Sequence, residues 1–167
     1  DEQSQRALAN VLLQSGFGYF ANNESENAGE LMLEGVSIHH QLNGSDHEAW
    51  VNTRGVAPAM VLLQGAAGSY EFNLDDLEQT HLSELWLDAK PHFSIESDEI
   101  ADTVWAVIST RTKEDTRSKQ QIELQKAFIG FLVLQAFDKD KTAQSAKMMK
   151  AVTGVMESDP RILGACV

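Results

Sequence analysis

The sequence predicts an α+β domain, an antiparallel sheet of hairpins covered by helices, with an all-α domain as the alternative. Three observations carry this. Apolar residues alternate from Val36 to Leu42 just ahead of Asn43-Gly44. They alternate again from Ile122 to Leu134, and they fall at helical spacing between Thr142 and Glu157.

Taken in chain order, Gln3–Gln14 reads as a helix, with Ala7, Leu8, Val11 and Leu12 as its apolar stripe and Gly16 as its stop. Asn22–Gly29 is polar and reads as an exposed loop. In the next stretch Val36, Ile38, His40 and Leu42 alternate with Ser37, His39 and Gln41. Asn43-Gly44 then supplies the two positive-φ residues of a tight hairpin turn. A two-residue turn sets His40 opposite His47, Ile38 opposite Ala49 and Val36 opposite Val51. It leaves Trp50 on the polar face, opposite Ser37. The rival is a helix begun by Ser45 and Glu48 as a capping box and closed by Gly55.

Pro58 interrupts any helix there, Met60–Leu63 is a short apolar run expected as a strand, and Gly65–Gly68 is a turn. Asn73 is placed to cap a helix running to about Leu87, offering Leu74, Leu77, Leu82, Leu85 and Trp86 to a core. Pro91 ends that element, and Phe93 and Ile95 suggest a short strand. Thr103–Thr112 is rich in β-branched and aromatic residues and reads as a strand. After a charged turn at Lys113–Ser118, Ile122, Leu124, Phe128, Leu132 and Leu134 make its partner in a long hairpin. A helix over Glu114–Phe137 competes with that reading. Thr142–Glu157 is helical, with Ala146, Met149, Val152, Val155 and Met156 on one face and Asp159-Pro160 as its stop.

The 167 residues suit a single globular domain, 1–167, with 43% hydrophobic and 23% charged residues, as in ordinary folded proteins. No apolar run reaches the roughly 18 residues of a membrane span, so a soluble protein is expected. The chain begins at Asp1 rather than Met, which leaves room for export if a signal preceded it. The formal charge is −12, with 25 acidic against 13 basic residues. That field repels phosphate and anionic membrane surfaces, so neither nucleic acid nor membrane is an expected partner. Arg111, Lys113, Arg117 and Lys119 are the only basic cluster, and Glu114 and Asp115 dilute it. A basic protein or a cationic ligand is the better match. Cys166 is the one cysteine, so neither an intramolecular disulfide nor a cysteine zinc site can form.

Candidate chemistry is sparse. His39, His40 and His47 lie beside Asp46 and Glu48. In the hairpin, His40 and His47 stand side by side and could share a divalent transition metal, with a carboxylate or His81 as third ligand. Asp138–Thr142 opens like a calcium loop, but Ala143 and Met149 occupy the positions that need Gly and Glu. No phosphate-binding glycine motif or nucleophile elbow is present. Glu96, Asp98, Glu99 and Asp102 form an acidic cluster suited to docking a basic partner. Trp50, on the polar face of the hairpin, would be exposed and is a second candidate centre for an interface. Trp86 and Trp105 are expected in the core. The expected function is therefore a non-enzymatic protein-interaction domain, such as an acidic adaptor, chaperone or inhibitor. A metal-binding protein or metal-dependent enzyme using His40 and His47 is the alternative.

Overall fold

The computed structural model describes residues 1–53, 55–64, 72, 74–93, 97–110, 118–136 and 140–158. Among these there is no strand. The elements are α1 (Glu2–Ala21), α2 (Ser25–Asn43), α3 (His47–Asn52), α4 (Val56–Leu63), α5 (Asp76–Ala89), a 3₁₀ turn (Lys90–His92), α6 (Ser97–Ser109), α7 (Lys119–Ala136) and α8 (Thr142–Ser158). The α+β expectation is overturned, and the all-α alternative matches.

Helix α1 runs straight through Gly16. Its buried face is Ala9, Leu13, Gly16 and Phe20, a helical i, i+4, i+7, i+11 spacing. The expected stripe points the wrong way, because Leu8 and Val11 are 51% and 60% exposed. Gly16 is retained inside the helix because α2 presses against it: a Cβ there would lie 2.5 Å from Met32 Cγ. The helix stops instead at Asn23, whose φ is +65°. The Asn23 N–H then bonds the Phe20 carbonyl at 3.1 Å and the Glu24 N–H bonds Tyr19 at 2.8 Å, which satisfies carbonyls at the helix end. The expected loop Asn22–Gly29 is thus a three-residue link between antiparallel helices, and α2 begins at Ser25.

Neither expected hairpin forms. Residues 36–43 belong to α2, whose buried face is Met32, Leu33, Val36, His39 and Asn43. Residues 103–109 belong to α6, and 122–134 to α7. Helix α7 starts at a reciprocal cap: the Gln121 N–H donates to Ser118 Oγ at 3.2 Å and the Ser118 N–H to Gln121 Oε1 at 2.9 Å. Met60–Leu63 is the end of α4. Pro58 is tolerated because it is the third residue of α4, where an N–H has no intrahelical acceptor. Phe93 closes the 3₁₀ turn, while Ile95 and the 65–68 turn lie outside the described residues. The helices expected near Leu77 and Met149 are present, although α5 is capped by Asp75 with Glu78, not by Asn73.

Every residue of α4 is buried, as a helix that is apolar all round must be. It packs against α1, α2, α5 and α6; α6 also meets α1, and α7 and α8 follow as a hairpin resting on α6. Gln144 on α8 ties that hairpin by donating to the Ala127 carbonyl of α7 at 2.8 Å. No helix among the described residues is long and apolar enough to cross a membrane.

Candidate functional site

The turn between α2 and α3 positions the site. Gly44 takes φ +52° and ψ −120°, a backbone conformation open to glycine and strained for any residue with a Cβ. Asp46 accepts the Ala49 N–H at 3.3 Å and starts α3, so the cap is Asp46 and not Ser45. One turn later Trp50 swings back under the bend. Its indole N–H donates to the Gly44 carbonyl at 2.9 Å, and the residue is fully buried. The surface tryptophan that a strand register would produce does not exist, because the helical register turns the same side chain inward.

Rings from distant segments close around Trp50. His92 stacks on it at 5.6 Å between centroids and 12° between planes, Phe93 meets it edge-on at 5.7 Å, and His40 approaches at 6.0 Å. His40 donates through Nε2 to Asp88 at 2.8 Å. His47 faces His92 instead of His40, with Nδ1 atoms 2.9 Å apart and ring centroids 5.2 Å apart. Those two distances differ by little more than the two ring radii, so the nitrogens point at each other along one line. One donates and the other accepts. Burial holds His92 below the ordinary histidine range, His47 adds to the effect and Asp46 opposes it.

The hairpin that would have paired His40 with His47 is absent, and with it the geometric ground for a metal at those two residues. His81, the expected third ligand, donates to Ser37 Oγ at 2.9 Å, where the hydroxyl already donates to the Leu33 carbonyl. Among the described residues no set of three His, Cys, Asp or Glu side chains is gathered for metal binding.

Trp50 also forms one wall of a cavity of about 570 Å³ between α1, α3, α4 and α6. Its apolar surface comes from Phe17 and Ala21 of α1, Ala57 and Pro58 of α4, Phe93, and Ile100 and Val107 of α6. Gln14, Thr53, Glu99, Thr103 and Thr110 supply its polar side chains. Gly18 also lines it, and a Cβ built there meets nothing within 4 Å.

Behind the cavity, a polar seam crosses the α1–α2 contact. Arg6 donates to Asn43 Oδ1 at 2.8 Å, and Asn43 reaches Thr53 Oγ1 at 3.5 Å. His39 donates through Nε2 to Asn10 at 3.0 Å. Its Nδ1 is buried with no hydrogen-bond partner among the described residues. Burial, reinforced by the Arg6 charge, lowers the His39 pKa from 6.5 to about 4, so the ring is neutral at pH 7.

Of the expected partner-binding residues, Trp50 is in the core, Glu99 lines the cavity and Asp102 is exposed on α6. Asp98 lies in the first turn of α6, and Glu96 falls outside the described residues. Trp86 and Trp105 are partly buried against the core. Sequence reasoning missed His92, Phe93 and Phe17. No local signal marks them, since their role arises only where α1, α3 and the 3₁₀ turn meet.

Fold and site together define an α-helical bundle with an interhelical apolar cavity walled by aromatic side chains. Compared with protein-family models, curated proteins and solved structures, the chain matches none.

Proposed function

We propose that the chain is a non-enzymatic binding domain that takes up a small, largely apolar molecule between α1, α3, α4 and α6. The observation that carries this is the cavity itself. A volume of about 570 Å³ lies within the roughly 300–1,000 Å³ of ligand sites. Aromatic and aliphatic walls with a few polar groups are the usual lining of such sites. The charge of −12 disfavours anionic ligands.

Gly18 offers a clean test. Gly18→Leu projects a side chain into open space without disturbing a helix contact. Titration with the neutral dye Nile red is expected to saturate on the wild type and to weaken about tenfold or more in Gly18→Leu, with no loss of thermal stability. Equal binding to both proteins overturns the proposal.

A basic protein partner is the second reading, supported by the overall charge and by exposed Asp102 on α6. Trp50, being buried, no longer contributes to it. A lysine-rich peptide that binds at 20 mM salt and not at 300 mM supports this reading; no binding at either removes it.

A further inference from the structure

The two kinds of charge are not mixed along this chain. Residues 1–110 hold 18 of the 25 acidic side chains and 3 of the 13 basic ones, and residues 111–167 hold the other 7 and 10. The body formed by α1 to α6 is therefore strongly negative, and most of the cations follow it. Helix α8 packs on α7 and α7 on α6, so this hairpin is an outer edge of the bundle. A groove of about 490 Å³ runs between the two helices. Its lining is basic: Lys126 from α7 and Lys147 and Lys150 from α8, against the single carboxylate of Glu123. The lysines come from two helices, so no basic run in the sequence announces them.

Lys147 and Lys150 are exposed, and neither has an ion pair among the described residues. The Lys126 ammonium lies 5.5 Å from the centre of the Trp105 ring on α6, which fixes where its charge sits. Neutral donors stand beside these charges. Gln144 spends one amide N–H on the Ala127 carbonyl at 2.8 Å and keeps the second. Gln120 on α7 offers two more. Ala127, Ala151 and Gly154 also line the groove, and their short side chains among the longer ones make the hollow. The result is a concave row of donors and positive charge.

Salt limits the reach of the acidic body to about 8–10 Å, so the groove answers mainly to its own charges. An exposed ion pair is individually weak, and one small anion gains little here. Several carboxylates on one chain engage together. On α8 the lining runs from Gln144 to Gly154, about 15 Å of helix, which about five residues of extended chain cover. Among the described residues no aromatic side chain and no arginine lines the groove, so nucleic-acid bases have nothing to stack on. A flat membrane surface cannot enter a hollow between two helices. We propose that α7 and α8 dock an acidic segment of a partner protein, a short run rich in Asp and Glu whose carboxylates meet Lys126, Lys147 and Lys150 in the groove. The groove shares no residue with the cavity, and the inference does not depend on the ligand proposed there.

The test is an NMR titration of the isotope-labelled protein with acetylated hexaglutamate at pH 7. At 20 mM NaCl the expected dissociation constant is about 1 mM or below, with shifts gathered on α7 and α8, and at 300 mM NaCl binding is expected to weaken about tenfold or more. Lys147→Gln with Lys150→Gln removes two positive charges at exposed positions. It is expected to weaken binding about fivefold or more. Gln3→Glu with Gln41→Glu makes the same change in net charge at exposed positions of α1 and α2, and is expected to change affinity by less than about twofold. A thymidine hexanucleotide and phosphatidylserine vesicles serve as rival polyanions. Sedimentation of the protein alone reports self-association.

No binding at 20 mM salt overturns the proposal. Equal weakening by the two double variants also overturns it, because the field of the whole chain then explains the affinity. A hexanucleotide or vesicles bound as tightly as hexaglutamate overturn the assignment to an acidic protein segment. Oligomers that form at 20 mM salt without peptide and dissociate at 300 mM make the occupant the acidic body of a second copy, and overturn that assignment likewise.

Discussion

The indole N–H of Trp50 donates to the carbonyl of Gly44 at 2.9 Å, so the side chain that walls the cavity also fastens the turn between α2 and α3. One residue therefore couples local chain reversal to the shape of the site.

Trp50→Phe keeps an aromatic ring in the core but leaves the Gly44 carbonyl without its donor. The expected cost is about 0.5–1.5 kcal/mol, the usual net worth of one hydrogen bond. Urea unfolding checks it, and a midpoint equal to the wild type would show that water replaces the bond at no cost.

Two glycines of α1 are expected to respond to the same substitution with opposite signs. Gly18→Ala adds a methyl where nothing lies within 4 Å. It should stabilise the protein by about 0.5–1 kcal/mol through helix propensity. Gly16→Ala sets a methyl 2.5 Å from Met32 Cγ and 3.3 Å from the Ala28 carbonyl oxygen. Backbone cannot yield as a side chain can, so the helices must part, at about 1–3 kcal/mol. Thermal melts of the two variants beside the wild type decide it.

At Gly44 there is also open space, yet φ is +52°. Gly44→Ala therefore tests backbone conformation alone, and a loss of about 1–3 kcal/mol is expected. An unchanged melting temperature would mean that the turn readily adopts another geometry.

His39 makes stability depend on pH. Its folded pKa is about 4 against 6.5 for the ordinary side chain, so the unfolded chain binds the proton more readily than the folded one. The contribution is complete above pH 6.5, falls as pH drops from 6.5 to about 4, and is flat below. The shift corresponds to up to about 3 kcal/mol. His39→Gln keeps an amide donor for Asn10 and cannot titrate. The difference in unfolding free energy between wild type and variant should shift in the variant's favour by that amount between pH 7 and pH 4. A constant difference would mean that the charged ring finds an acceptor.

Several features were legible because they depend on residues within four positions of one another. Thr142–Glu157 was readable as a helix from spacing alone, and the helix through Leu82 and Leu85 likewise. The caps Asp75 with Glu78 and Ser118 with Gln121 stand in the sequence as capping boxes, and the second would have favoured a helix over the strand expected at Ile122–Leu134. What disguised α2 was its own core. Two of the positions on its inward face, 39 and 43, are His and Asn, buried because α1 supplies Asn10 and Arg6 as partners. With polar residues at core positions, the visible apolar residues Val36, Ile38 and Leu42 mimic a strand.

The sequence by itself determined the strong negative charge, several helix boundaries and the glycine bend at position 44. These follow from composition and from short-range capping and steric rules. Only the tertiary structure decided that His92, from the 3₁₀ turn after α5, stacks on Trp50 and that His47 meets His92 rather than His40. It alone opened a cavity between α1 and α6. Those relationships join residues tens of positions apart, brought together where α3 meets the 3₁₀ turn and where α1, α4 and α6 pack, which no local pattern encodes.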